Sequence, residues 1–167
     1  MKLIIHDLSQ EQFETLGIVI DADTKMIADD GTIKACIGCF GCWIKTPGRC
    51  ALKDNYHNMG MLLGKSDEFV VISRCNYGCY SPFVKNVLDR SIPFILPYFT
   101  TINGETHHQR RYRRQIAFVV HFYGEDITLA ECQTAKALVR ANSINLHMTV
   151  SDIRFHKSIQ DMREVFC

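Results

Sequence analysis

Charge of one sign is what the sequence most plainly lacks: 19 lysines and arginines stand against 18 aspartates and glutamates, a formal net charge of +1. No whole-chain field therefore draws the protein to nucleic acid or to anionic lipid. Long apolar runs are scarce too. The opening run, residues 1–7, is cut by His6 and Asp7 and reads neither as a signal peptide nor as a membrane span. No internal repeat, low-complexity tract or linker breaks the 167 residues, so a single domain with a full core is expected over 1–167. With no export signal, the expected setting is the reducing cytoplasm, where cysteines persist as thiols, thiolates or metal ligands rather than disulfides.

Cysteine itself is not scarce. Of eight, four fall in one stretch as Cys36, Cys39, Cys42 and Cys50, a C-x2-C-x2-C-x7-C spacing. Three readings stay open for them. They can be free thiols packed under a sheet's rim, since buried cysteine behaves as a small hydrophobe. They can ligate a [4Fe–4S] cluster, which their number and spacing suit. They can also hold zinc or form a redox-active pair, although zinc usually takes two separated knuckles. Phe40, Trp43 and Ile44 would shield a cluster from water and would equally serve a dimer interface. Cys75 and Cys79 flank a later loop and read as packing residues.

The rest of the chain alternates strand-like and helix-like segments. Residues 2–7 and 69–73 read as buried strands, and 115–120 as a second central one. Residues 148–155 are more polar and suit an edge. Ser9 with Gln12, and Thr128 with Glu131, are capping boxes that open helices. The second of these helices should bury Leu129, Cys132, Ala135, Leu138 and Val139. A helix beginning at Lys53 or Asp54 turns Met59, Leu62 and Leu63 to one face and closes at Gly64. Another starts at Ser81 with Pro82 in its first position. The segment 17–30 is ambiguous, with strand-like pieces at 18–20 and 25–28, while 32–36 reads as a short strand and 91–99 as too irregular for a helix. The pattern predicts an α/β fold: a parallel sheet covered by helices on both faces. Ligands then bind where strand order reverses, at the strands' carboxyl ends. Three loops leave such ends, 36–50, 74–80 and 121–126, and they are the chemically richest segments.

Two blocks, Cys36-Ile37-Gly38-Cys39-Phe40-Gly41-Cys42 with Cys50 and Asp54, and Asn76-Tyr77-Gly78 with Ser81, Lys85 and Leu88-Asp89-Arg90, resemble the flavodoxin-like NAD(P)H-dependent FMN reductases. The cysteine spacing is similar to that of the iron–sulfur flavoproteins within that group. The resemblance covers about 32–139. It implies a three-layer flavodoxin-like fold, a five-stranded parallel sheet of order 2-1-3-4-5 with a flavin at the strand ends, and a homodimer or higher homo-oligomer. By the same resemblance, Asn76, Tyr77, Gly78, Cys79, Tyr80 and Ser81 form the loop that cradles the isoalloxazine, and His121, Phe122, Tyr123 and Gly124 a second flavin loop. Without the resemblance, the first is a strand-to-helix loop capped by Ser81, and His121 a satisfied histidine at a strand end.

The family places a Ser/Thr/Asn-rich turn after its first strand to hold the FMN phosphate. Here that turn is His6-Asp7-Leu8-Ser9-Gln10. Ser9 supplies one hydroxyl and its helix can offer N-terminal amides, but Asp7 opposes a phosphate's charge. The departure predicts FMN binding that is weakened, altered or lost.

The leading reading is an FMN-dependent oxidoreductase. Hydride passes from NAD(P)H to flavin, then electrons to a small-molecule acceptor or redox protein, with no side chain required as acid or base. The rivals are an iron–sulfur flavoprotein electron carrier using Cys36, Cys39, Cys42 and Cys50, and a flavodoxin-like protein that no longer binds FMN. The basic cluster His107-His108-Gln109-Arg110-Arg111-Tyr112-Arg113-Arg114 reads as a solvated loop before a strand, with recognition of an NADPH phosphate or an acidic substrate as the functional alternative. One basic loop is not a nucleic-acid groove.

Overall fold

Leu3, Ile4 and Ile5 are fully buried, as are Phe69, Val71 and Ile72, with Val70 nearly so. Both segments are thus covered on both faces, the condition under which an apolar run becomes a central parallel strand. In the computed structural model, which describes residues 1–166, they form β1 (Lys2–His6) and β3 (Glu68–Arg74). β1 pairs in parallel with β2 (Thr24–Ile27) on one side and with β3 on the other. β6 (Ala117–Tyr123) continues the sheet beside β3, and β7 (Thr149–His156) closes it. The order is β2-β1-β3-β6-β7, all parallel. Counted among these five strands alone, that is 2-1-3-4-5.

Helices cover both faces, while α2 (Gly41–Ile44) is a single turn in the cysteine segment. On one face α3 (Met59–Lys65), α4 (Pro82–Arg90) and α5 (Leu129–Asn145) set Met59, Leu63, Val84, Val87, Ala135 and Val139 into the larger core. On the other, α1 (Gln10–Thr15) and α6 (Ile159–Phe166) contribute Phe13 and Met162 to a smaller core with Ile4, Val70 and Ile72. Both predicted capping boxes form, on Ser9 with Gln12 and on Thr128 with Glu131. Among the described residues, no helix is long and apolar enough to cross a membrane.

Several local expectations are corrected. Residues 32–36 form no strand; the amide of Lys34 donates to Asp54 and its carbonyl accepts from Arg90, so two side chains hold it instead of a strand neighbour. Within 17–30 only 24–27 is strand. α3 begins at Met59, because Tyr56 turns into the core ahead of it, and it runs through Gly64 to Lys65. Leu129, expected to be buried, is the first residue of α5 and is 76% exposed.

The largest correction concerns 91–110. After a 3₁₀ turn at Ile92–Phe94, β4 (Ile95–Ile102) and β5 (Glu105–Arg110) form an antiparallel hairpin outside the main sheet. Residues 95–99 of the segment read as too irregular for a helix, and half of the expected basic loop, are therefore strand. Their turn is Asn103-Gly104, both at positive φ (53° and 84°), the pair a two-residue hairpin turn favours.

Candidate functional site

β1 has β2 on one side and β3 on the other, so the chain's path reverses there and leaves a crevice at the strands' carboxyl ends. A cleft of about 700 Å³ opens at that end of the sheet, between α1, the loop after β6 and the start of α6. Its lining includes Arg74 and Cys75 from the end of β3, and Tyr123 and Gly124 from the end of β6. Carboxylates outnumber cations around it: Glu11, Glu125, Asp126 and Glu131 against Arg74 and Lys157.

Asp7 lies at the end of β1 beside this cleft. Its Oδ2 accepts the Arg74 amide at 2.8 Å and its Oδ1 the Tyr123 hydroxyl at 3.1 Å. One carboxylate thus ties together the ends of three adjacent strands, β1, β3 and β6. Burial, reinforced by the Asp7 charge, raises the Tyr123 phenol well above its ordinary value, so it stays a donor at neutral pH. Ser9 is engaged as well: its Oγ accepts the Gln12 amide, and its own amide donates to Gln12 Oε1 at 2.9 Å.

The loop after β3 is a tight turn. Asn76 and Cys79 exchange two backbone hydrogen bonds at 2.9 Å each, with Tyr77 and Gly78 between them at φ 54° and 79°. Tyr77 projects from it and is 93% exposed. Gly78 faces α5, where a Cβ would meet the Thr134 side chain at 2.7 Å. Tyr80 turns inward, 2% exposed and stacked on Phe122 at 5.3 Å. Ser81 is buried and caps α4, accepting from Val84 and donating its amide to Ser73. Cys75 and Cys79 are half-buried against the larger core, and burial pushes the Cys75 thiol up.

Strand alternation separates the second predicted loop. Phe122 faces the larger core, stacked between Tyr80 and Phe155. His121 faces the other way, with Nδ1 3.1 Å from His156 Nε2 and its ring against Phe166. Of the residues named for flavin contact, Tyr123 and Gly124 line the cleft and Tyr77 stands at the surface. Ser9 lines a separate cavity of about 480 Å³ beside α1. Tyr80, Ser81, His121 and Phe122 are buried. Sequence reasoning missed Lys157, for which only its place after a strand offered a signal, and took in Arg74 only as the start of the loop 74–80. It read Asp7 as a charge facing ligand and missed its two internal donors.

The cysteines form a second centre. Cys36, Cys39, Cys42 and Cys50 line one cavity of about 250 Å³ together with Phe40 and Trp43. Arg90, fully buried, holds this segment: Nε donates to Cys50 Sγ at 3.0 Å, Nη1 to Lys34 O and Asp54, and Nη2 to Leu52 O and Asp54. Burial alone would raise the Asp54 carboxyl, but the bonds from Arg90 keep it below the ordinary range. Burial and the neighbouring Cys50 push the Cys42 thiol up. The donor set is right for a cluster, yet among the described residues no three metal-ligating side chains converge on one point. The basic cluster lies elsewhere: Arg114 pairs with Asp67 at the amino end of β3, and Arg111 donates to Pro93 O.

For FMN the two ends of the site differ. The exposed Tyr77 ring fits a planar ligand. The turn after β1 does not fit a phosphate, because Asp7 stands there as an anion and Ser9 and Gln12 satisfy each other.

No family model matches the chain, and neither does any curated protein. Solved structures do. General stress protein 14 of Treponema denticola, in complex with FMN, is 12% identical with a TM-score of 0.54, covering 99% of this chain and 94% of that one. An FMN-dependent NADH-azoreductase of Bacillus anthracis, also with FMN, is 9% identical at a TM-score of 0.53, covering 99% and 96%. An NADPH-quinone reductase of P. pentosaceus is 11% identical at a TM-score of 0.56, covering 99% and 95%. At these identities the likeness establishes the fold, the flavodoxin-like α/β arrangement of five parallel strands.

Proposed function

We propose that the protein is an FMN-type flavin oxidoreductase that takes reducing equivalents from NAD(P)H and passes them to a small-molecule acceptor. The observation that carries this reading is the strand-end cleft at the point where strand order reverses, from whose Cys75 the chain runs on into the exposed Tyr77 turn. The names of the similar structures support the same chemistry: one is an FMN-dependent NADH-azoreductase, another an NADPH-quinone reductase. A bound flavin supplies the electron transfer itself. The chain's part is to bind and orient: Tyr77 offers a ring face, Gly124 a close backbone approach, and the Tyr123 hydroxyl is committed to Asp7. No side chain is assigned a catalytic role.

The test is an absorbance spectrum of anaerobically purified protein before and after adding FMN, followed by NADH or NADPH consumption with a quinone or azo dye. Bound-flavin bands and acceptor-dependent oxidation are expected. A colourless protein that ignores flavin overturns the reading.

A second reading, an iron–sulfur centre, rests on the four thiols sharing a single cavity, although among the described residues no three metal-ligating side chains converge on one point. A brown absorption that dithionite bleaches and Cys39→Ser removes would support it; its absence from anaerobic protein overturns it. We also propose a homodimer. Ile37, Phe40, Ile44, Tyr98 and Phe99 are exposed apolar residues on the cysteine segment and the hairpin. A two-stranded hairpin is marginal by itself, so a second copy is its natural cover. Sedimentation of the full chain and of Phe99→Asp checks this: a dimer that the substitution dissociates is expected, and a wild-type monomer overturns it.

A further inference from the structure

We propose that the site holds a flavin by its ring and leaves the ribityl phosphate unanchored, with Asp7 setting that specificity, so that the ligand class is the flavin ring system with or without a 5′-phosphate. The inference rests on the flavin reading above. It grows out of the misfit at the turn after β1.

In a sheet of this order, a ligand's phosphate is ordinarily received at the first strand-to-helix turn by free amides and a helix N-terminus. Here that provision is curtailed in three respects. Only Asp7 and Leu8 separate β1 from Ser9, the cap of α1. The Ser9 and Gln12 amides are both taken by the capping box, which leaves only those of Gln10 and Glu11 in the first turn, on a helix of just six residues. Above all, Asp7 fills the anion's role from within. It receives the Arg74 amide and the Tyr123 hydroxyl, at the ends of the two strands next in order to its own. A phosphate dianion placed there meets a carboxylate whose donors are already engaged, and like charges at such range repel strongly. Glu11, in the first turn of α1, further offsets what the helix N-terminus could offer an anion. Tyr77, by contrast, recognises a ring through its face, which no phosphate affects.

Arg74 and Lys157 also line the cleft, and a phosphate drawn to them would show as a preference for FMN. The experiment is therefore fluorescence titration of riboflavin and of FMN with the full chain and with Asp7→Asn, which keeps the side chain's shape and an acceptor oxygen. Wild-type dissociation constants within about threefold of each other are expected, and Asp7→Asn should tighten FMN on the order of tenfold while leaving riboflavin unchanged. The surface variant Glu11→Gln, which touches no core contact, should move FMN in the same direction by about twofold. Wild-type preference for FMN beyond about tenfold overturns the inference and leaves the flavin reading standing. So does an FMN-to-riboflavin ratio that neither variant moves. Failure to bind either flavin overturns the flavin reading itself, and the inference with it.

Discussion

Arg90 directs its donors at the segment that carries four cysteines, and its side chain is fully buried against an Asp54 side chain only 4% exposed. Removing one partner of such a pair strands the other charge. Arg90→Met should therefore cost about 3–5 kcal/mol in urea unfolding. It should also speed labelling of Cys42 and Cys50 by a thiol reagent, because residues 34–54 lose their anchor. A double variant with Asp54→Leu should recover a large part of the stability; equal losses in the single and double variants would refute the charge argument. Tyr77 makes the opposite case. A bulky residue at φ 54° is uncommon and strained, and an exposed one gains nothing from the core in return. Strain of this kind collects at functional sites. Tyr77→Gly should raise stability by roughly 0.5–1 kcal/mol in thermal or urea melts while weakening flavin binding about tenfold or more. Unchanged flavin affinity would remove Tyr77 from the site.

Among the elements, α3 sits unusually close to the 3₁₀ turn that follows α4. A Cβ at Gly60 would lie 2.8 Å from the Phe94 amide nitrogen and 2.9 Å from the Pro93 carbonyl carbon. Backbone atoms cannot step aside as a side-chain tip can. Gly60→Ala, which elsewhere in a helix would gain about 1 kcal/mol, should here lose about 1–3 kcal/mol in urea unfolding; a gain would mean the turn yields freely. This contact also shows what a single sequence conceals. The strands β1, β3 and β6 and both capping boxes were legible because each is written in consecutive residues: an apolar run, or a hydroxyl three positions before a Gln or Glu. The conformation of residues 32–36 was not, since it depends on Asp54 and Arg90, distant in the chain. The hairpin was legible in principle, through Asn103-Gly104, but its prolines and basic residues obscured the alternation. At the candidate site, strand-end placement drew attention to Tyr123 and Gly124, which line the cleft. Face assignment did not follow, because a one-residue step turns Phe122 into the core and His121 to the opposite side.

Across the whole molecule, the face of the sheet under α1 and α6 carries buried imidazoles where the other face is aliphatic and aromatic. His6 stacks on Phe13 at 4.3 Å, and neither ring nitrogen makes a well-formed hydrogen bond within the described residues, the Leu8 backbone being a weak partner only. His121 and His156 face each other beneath Phe166. Burial lowers His6 to about 4, and burial with the adjacent His156 and Arg154 lowers His121 to about 4. His156 is lowered by burial and Arg154. Each histidine is therefore neutral in the fold and readily protonated once unfolded, where its pKa is near 6.5. Between these values the unfolded chain binds more protons, so stability is full above about pH 6.5 and falls as pH drops toward about 4. Each of His6 and His121 should remove on the order of 2 kcal/mol across that window. Urea midpoints measured from pH 7.5 down to 4.5 should fall steadily, with α6 the first element to lose hydrogen-exchange protection because its Phe166 closes over His121. His6→Leu isolates one contribution. It should be neutral or mildly stabilising at pH 7.5, since it removes a weakly partnered polar ring, and it should flatten part of the acid slope. A variant with the wild-type slope would mean that His6 already finds a partner for its proton in the fold, and that the acid sensitivity belongs to the pair beneath α6 alone.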